Sequence, residues 1–320
     1  MFWWYFHIII LVLFTAAIYH LLHLMRIRKQ YVKLKQIAQN EASEYDRQKT
    51  EFFSNMIHEL KTPLSVILSA VQLIEKNSSS NLDAQVKYHR QFKVIRQNCY
   101  RLLHLINNTL DITKIDSGYT KSNMTDCNIV YLAEEITQSI MPFAEQKGVY
   151  LEFDTEFEEI ITCVDIDKIE KVILNLLSNA IKFTQSGGKV WVHVNQREDK
   201  AVISVKDTGI GIPMSMQDEI FKRFHQVGSQ LSSAFEGSGI GLSLVKSFVE
   251  LHNGKIKLIS EEKRGSEFII ELPISFYASN STCKLHEGGF QEKISEAINI
   301  EFSGISNLTS NEPQHKGKLP

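Results

Sequence analysis

Closely spaced cysteines are missing from this 320-residue chain. Cys99, Cys127, Cys163 and Cys283 stand far apart, with none of the short spacings that hold zinc or run redox chemistry. They read as reduced, mostly buried thiols of a cytosolic protein rather than a disulfide scaffold or a metal centre. A charge excess is missing too. The 35 basic and 37 acidic residues leave a formal net charge of −2, and no bulk basicity points to nucleic acid. No internal repeat is visible, and the length allows two or three domains.

Formal charge is also absent from Phe2–Met25, a run of 24 residues reading FWWYFHIIILVLFTAAIYHLLHLM. As a helix it would span about 36 Å, against a hydrocarbon core of about 30 Å. Trp3, Trp4 and Tyr5 stand where an aromatic belt would, and Arg26, Arg28 and Lys29 follow at once. That asymmetry puts a short N-terminus outside and the rest of the chain in the cytoplasm. A secretory signal peptide is the alternative, but a basic leader and a small-residue cleavage site are both lacking. Residues 1–25 are therefore expected to form a single transmembrane helix in the cytoplasmic membrane, in contact with lipid. Glycine and proline are missing from the next stretch, so 26–50 reads as a continuous signalling helix, its apolar positions too sparse for a strong coiled coil.

What the chain does have begins at Phe53. Apolar residues recur at Phe53, Met56, Leu60, Leu64, Ile67, Val71 and Ile74, a helix-face pattern with near-heptad spacing. At about 100° per residue, His58 falls roughly 160° from the centre of that stripe, and Thr62 shares its outward face. Pro63 removes a backbone donor and crowds the carbonyl of Glu59, which predicts a kink just after the histidine. An exposed imidazole beside a carboxylate can act as a nucleophile, with Glu59 either holding one ring nitrogen or taking its proton. Taken alone, an ordinary surface histidine is the plainer reading of such a short block.

This helix is expected to run to Lys76, where Asn77–Asn81 breaks it. A second helix carries Phe92, Ile95, Cys99, Leu102 and Ile106 at three-four spacing and ends near Gly118. The resulting αα-hairpin, residues 51–118, has too little core to stand alone. A second copy would complete a four-helix bundle, so a homodimer is a physical expectation.

From 124 to 273 the pattern turns to mixed α/β. Helices are predicted at 129–146, 166–183 and 239–252, with strands at 149–154, 189–195, 201–206, 255–259 and 267–272. The tail, 274–320, is polar and of unassigned role, with one strand-like piece at Ile298–Phe302.

Three pieces of this domain carry chemistry. In Asn175-Leu176-Leu177-Ser178-Asn179-Ala180-Ile181-Lys182-Phe183-Thr184, the residues Asn175, Asn179 and Lys182 recur on one helix face. Asparagine oxygens suit Mg²⁺, and a nearby ammonium can neutralise phosphates. Asp207-Thr208-Gly209-Ile210-Gly211 follows a predicted strand. An acid there can accept from an adenine amino group while Gly209 and Gly211 let the backbone approach the base. Gly237-Ser238-Gly239-Ile240-Gly241-Leu242 opens a helix, whose free N–H groups and dipole favour phosphate. Its G-x-G-x-G spacing fits neither the dinucleotide fingerprint nor the P-loop.

The His58 block closely resembles the phosphoacceptor box of bacterial two-component sensor histidine kinases. The order of the three later pieces, with Ile220-Phe221-Lys222-Arg223-Phe224 between the last two, resembles the Bergerat ATP-binding domain that those kinases share with gyrase, Hsp90 and MutL. The resemblance spans roughly residues 50 to 273. It implies a multi-domain protein: one transmembrane helix, a helical hairpin that dimerises into a four-helix bundle, and an α/β sandwich ATPase domain. It implies that Asn179 coordinates Mg²⁺, that Asn175 and Lys182 contact the phosphates of ATP, that Phe183 lines the adenine pocket and that Asp207 holds the adenine amino group. Phe221 and Phe224 would anchor a lid, and Gly237, Gly239 and Gly241, continued by Leu242, would cradle the phosphates. Glu59 would be the general base for His58, and Thr62 would orient a water for dephosphorylating a partner.

Two departures from the family pattern stand out. Gln226–Glu236, the lid segment, has no Lys or Arg, so phosphate neutralisation would fall on Lys182, Mg²⁺ and Arg223. Asn253 stands where relatives often have glycine, a mild change because Asn tolerates the left-handed conformation. The expected activity is autophosphorylation of His58 followed by transfer to an aspartate of a separate response regulator. The signal would arrive through the span or a membrane partner. The alternative is an ATP-binding protein that phosphorylates weakly and acts mainly as a phosphatase.

Overall fold

The computed structural model describes residues 2–76, 82–119, 121–222, 239–276 and 287–302. Two compact units emerge, Met1–Ser54 and Asn55–Pro320. In the first, the described residues are helical throughout, as the beginning of α1 (Phe2–Lys76). Arg47 reaches Glu44 at 2.6 Å and Glu51 at 3.3 Å along one exposed face, the neighbours that three- and four-residue spacing brings together on a helix. Among the described residues no helix is long and apolar enough to cross a membrane. The transmembrane helix expected at 1–25 is therefore not found there. The side chains of Ile8, Ile9 and Ile10, which supply much of that stretch's hydropathy, lie outside the described residues.

In the second unit, α1 pairs with α2 (Leu82–Asp116). Met56, Leu60, Pro63, Ile67, Ala70 and Ile74 make the less exposed face of α1, and Leu105 and Ile112 are buried on α2. Thr109 Oγ1 donates to Met56 Sδ at 3.0 Å, which fixes the level at which the two helices meet. The inward seam thus uses Pro63 and Ala70 where the heptad reading put Leu64 and Val71, and both of those are exposed together with Ile57 and Leu68. The helix runs on through Pro63. The expected loop Asn77–Asn81 lies outside the described residues. At the far end of α2, Gly118 takes φ +69°, and its N–H and that of Tyr119 donate back to Ile115 and Lys114, both at 3.1 Å, the glycine-terminated stop that the sequence suggests.

The α/β part follows in the order β1 (Thr125–Asn128), α3 (Ile129–Gln146), β2 (Tyr150–Thr155), β3 (Ile161–Val164), α4 (Ile166–Phe183), β4 (Lys189–Arg197), β5 (Lys200–Asp207), α5 (Gly241–Leu251), β6 (Lys255–Glu261) and β7 (Gly265–Pro273). Five strands form a sheet in the order β2-β4-β5-β7-β6, with β2 parallel to β4 and the other pairs antiparallel. The short strands β1 and β3, not expected from the sequence, make a separate antiparallel ribbon. Helices α3, α4 and α5 lie against the sheet.

Alternation sets the core. Val192 pairs with Val205, which pairs with Phe268, while Val194 pairs with Ile203, which pairs with Ile270; all six are buried. They meet Ile169, Ile173, Leu176, Leu177 and Ile181 from the apolar face of α4. Each such side chain contributes about 1.5–3 kcal/mol when fully buried. Side chains two residues apart share a sheet face, so Asp207 at the end of β5 lies on the same helix-covered side as Ile203 and Val205. It is carried there by the strand that carries the core.

The domain closes at Ser275, two residues past the expected end at 273. Its N–H donates to Thr162 Oγ1 at 3.2 Å, and its carbonyl accepts from Cys163 N–H at 2.8 Å. Cys127 is buried and Cys163 half-buried, but Cys99 is exposed on α2, contrary to the expected burial. The strand-like piece at Ile298–Phe302 is also corrected: it ends a helix, α6 (Glu287–Glu301). Ile294, Ile298 and Phe302 recur every four residues and are all buried, so the helical period prevails over the local strand preference of isoleucine. Helix α6 packs against α2, α3 and α4, and the Phe302 ring lies 5.3 Å from that of Phe143.

Candidate active site

On α1, His58 is exposed, Glu59 is half-buried and Thr62 is exposed. The Thr62 hydroxyl donates to the carbonyl of His58 at 3.3 Å. Pro63, one turn after Glu59, is buried and has no N–H to donate. His58 therefore stands on the outward face, one residue from a carboxylate and one turn from a hydroxyl.

The nucleotide-site residues gather at the ends of α4, β5 and α5. Two caps hold α4 in place. At its start, Asp165 accepts from the N–H of Lys168 at 3.2 Å and from that of Asn123 at 2.9 Å. Its own N–H donates to His252 Nε2 at 2.9 Å, and His252 Nδ1 lies 2.7 Å from the Phe248 carbonyl. The ring is thereby fixed as the tautomer with the proton on Nδ1, and burial holds its pKa below the ordinary 6.5 despite that carbonyl and Asp165. At the other end, Lys147 Nζ donates to the carbonyls of Ile181 at 2.5 Å and Lys182 at 2.6 Å. Burial and the Lys182 charge bring Lys147 down to about 8.

Along the polar face of α4, Asn179 Nδ2 donates to Asn175 Oδ1 at 3.1 Å, so this bond uses the Asn179 amide nitrogen and not its oxygen. Lys182 Nζ lies 5.3 Å from the centre of the Phe183 ring. The Phe183 carbonyl accepts from Ile210 N–H at 3.3 Å and so ties the end of α4 to the turn after β5.

That turn is organised by Asp207, which is buried. Its Oδ1 accepts from Gly209 N–H at 2.7 Å and from Ser266 N–H at 3.3 Å. Both backbone donors bond Oδ1, and Oδ2 can accept from an outside donor. Burial raises the Asp207 pKa and outweighs the two backbone donors. Gly211 has φ +65°, and a Cβ there would lie 2.0 Å from the Glu261 carbonyl. Phe221 is half-buried, edge-on to Phe268 at 6.2 Å.

Helix α5 starts at Gly241 with no side-chain cap, so the N–H groups of its first turn are open to an anion. A Cβ at Gly241 would lie 2.4 Å from Asn175 Nδ2, and this close approach brings the helix start against the asparagine face. Gly239 and Leu242 flank it, both half-buried. Asn253 takes φ 55° after α5, the left-handed backbone expected of it. Arg223, Phe224, Gly237 and the lid segment 226–236 lie outside the described residues.

Among the described residues no cluster of three His, Cys, Asp or Glu side chains could hold a metal. The side-chain oxygen of Asn179 would offer a single hard ligand, which fits an ion that keeps waters and phosphate oxygens as its other ligands.

Sequence reasoning missed one participant, Glu301. Its Oε1 accepts from Asn175 Nδ2 at 3.3 Å, and its Oε2 lies 3.1 Å from His104 Nδ1. The four-residue spacing of Ile294, Ile298 and Phe302 was the signal that could have brought it in.

Two family descriptions match this geometry. Residues 48–118 match the "His Kinase A (phospho-acceptor) domain" and residues 164–275 the "Histidine kinase-, DNA gyrase B-, and HSP90-like ATPase". The sensor histidine kinase TmoS of Ectopseudomonas mendocina is 37% identical over 72% of this chain and 23% of its own length. The sensor histidine kinase YclK of Bacillus subtilis is 32% identical over 76% of this chain and 50% of its own. The crystal structure of histidine kinase ThkA in complex with the response regulator protein TrrA shares the fold, at 24% identity and a TM-score of 0.51, over 70% of this chain and 61% of that one. The chain thus spans half or less of the length of these two curated relatives. It belongs to the bacterial two-component sensor histidine kinases.

Proposed function

We propose that this chain is a membrane-anchored sensor kinase that phosphorylates itself on His58 with ATP and passes the group to an aspartate of a separate response regulator. The observation that carries the reading is the buried Asp207. Its Oδ1 is used by the backbone and its Oδ2 stays available, in the same domain as the asparagine face of α4 and the uncapped start of α5. Asp207 would accept from the adenine amino group, while Lys182 and the N–H groups of Gly241 and Leu242 would hold phosphates. Asn179 would hold Mg²⁺, which would neutralise phosphate charge. The bond from His58 Nε2 to the γ-phosphorus forms as the bond to the bridging oxygen breaks, and ADP leaves. Glu59 takes the Nδ1 proton that the phosphorylated ring must lose.

Further parts of the reading rest on apolar surface. Ile57, Leu64, Leu68 and Val71 on α1, with Leu103, Ile106 and Leu110 on α2, leave the hairpin an exposed apolar face, which a second copy would cover as a four-helix bundle. The uncharged run at 2–25 with its basic border supports a single span in the cytoplasmic membrane, with the catalytic part inside. Membrane fractionation with an alkaline wash tests this: recovery in the supernatant ends it. Nucleic acid is not an expected partner. The lid segment without Lys or Arg supports a second reading, weak phosphorylation with Thr62 orienting a water for phosphatase action.

One assay separates the two readings. The full chain is incubated with Mg²⁺ and γ-labelled ATP. Acid-labile, base-stable label that vanishes in His58→Gln supports the kinase. Tight ATP binding without label moves the function to the phosphatase reading.

A further inference from the structure

Helix α6 touches the phosphoacceptor hairpin and the ATP-binding domain at once, and a single carboxylate makes both polar contacts. Glu301 meets His104 of α2 at 3.1 Å and the side-chain amide of Asn175 at 3.3 Å. From Asn175 the chain of bonds continues to Asn179 at 3.1 Å. On the other side, the amide of Asn108 lies 2.9 Å from His104 Nε2. Ile294, Ile298 and Phe302 are buried beneath this line and seat the helix. Thr109 faces Met56. In an antiparallel pair that level puts His104 opposite about residue 61, within roughly one turn of His58.

We infer that Glu301 is a resting-state residue of the nucleotide site: the tail helix seats its carboxylate on Asn175, where it competes with the phosphates of ATP, and anchors it through His104 to α2 of the phosphoacceptor hairpin. This rests on reading Asn175 as a phosphate contact. The chemistry is direct. The Nδ2 group of Asn175 that would face a phosphate is engaged by Glu301. A second anion cannot settle beside that carboxylate without repulsion. Nucleotide and tail helix then exclude one another, so ATP loosens α6 as much as α6 weakens ATP.

The test uses the full chain, with trinitrophenyl-ATP fluorescence and displacement by Mg·ATP. Glu301→Gln keeps the size and removes the charge. Its dissociation constant is expected to fall about fivefold or more, and the KM for His58 labelling to fall with it while kcat stays. His104→Gln is expected to move affinity the same way by less. In the unmutated chain, saturating Mg·ATP is expected to raise hydrogen exchange across Ile294–Phe302, a readout that needs no variant. Unchanged or weaker affinity in Glu301→Gln, or α6 protection that ATP leaves intact, overturns the inference; weaker affinity would make Glu301 a ligand of the bound nucleotide. Failure of the unmutated chain to bind nucleotide at all would instead sink the ATP-site reading on which this one stands.

Discussion

The hairpin and the ATP-binding domain solve opposite problems. In the α/β domain the apolar alternation of β4, β5 and β7 is consumed internally, and side chains such as Val192, Ile203 and Ile270 are fully buried. Both ends of α4 are tied to other parts of the domain, the N-terminus through its cap Asp165 with Asn123 and His252 bonded to it, the C-terminus through Lys147. In the hairpin, Ile57, Leu64, Leu68, Val71, Leu103, Ile106 and Leu110 stay exposed, and His58 is exposed with them. One region holds a ligand by being complete. The other invites a partner by being incomplete. The largest expected effect breaks this contrast. Ile203→Ala should destabilise the ATP-binding domain by about 2–5 kcal/mol, whereas Leu68→Glu should leave that domain's urea midpoint in place and turn a dimer into a monomer in sedimentation. A monomeric unmutated chain, or equal urea shifts in both variants, would remove the contrast.

The same difference decides what could be read from sequence. The strands and helices of the ATP-binding domain follow from alternation and capping, because each face there is either core or site; the expected bounds of α3 and α4 agree with the structure residue for residue. The ribbon of β1 and β3 was missed because strands of four residues are too short to show a period. The hairpin seam slipped to Pro63 and Ala70 because two apolar faces compete on one helix, and spacing alone does not say which faces α2. Glu301 was missed for another reason: the spacing of Ile294, Ile298 and Phe302 signals its helix, but its contact with Asn175 depends on where α6 docks, across more than a hundred residues.

The next effect sharpens the claim that completeness holds the nucleotide. In Asp207→Asn the retained Oδ1 can still accept from Gly209 and Ser266, so the turn should keep its shape. The new amide nitrogen would face the adenine amino group donor to donor. Loss of a hydrogen bond to a charged acceptor is worth about 1.5–3 kcal/mol, so ATP affinity should drop roughly ten- to hundredfold. Thermal stability should hold or rise, because burial already disfavours the Asp207 charge. Affinity from calorimetry beside a melting curve reads both quantities, and a large fall in melting temperature with unchanged affinity would show Asp207 to be a structural residue only.

The smallest effect is a difference of sign between two histidines, one in each region. His252 lies inside the ATP-binding domain, and burial lowers its pKa below 6.5. The unfolded chain then takes up a proton that the folded domain refuses, so stability is full above about 6.5 and falls as the pH drops through the folded value. For His104 the order reverses. Burial alone would lower it, as would Lys182 and Arg101, but the attraction of Glu301 and the hydrogen bond to it win, and the pKa ends above 6.5. The contact between hairpin and tail helix is therefore full below about 6.5 and weakens as the pH rises through the folded value. Hydrogen exchange followed by region and corrected for the intrinsic pH dependence of exchange separates the two. Acid should loosen the segments around Asp165 and His252 while alkali loosens α6 where it meets α2. In His104→Gln the alkaline loosening of α6 should vanish and the acid effect remain. If both segments loosened on the same side of neutrality, the Glu301 contact would not be holding a charged His104, and the hairpin would have no electrostatic tie to the tail that covers it.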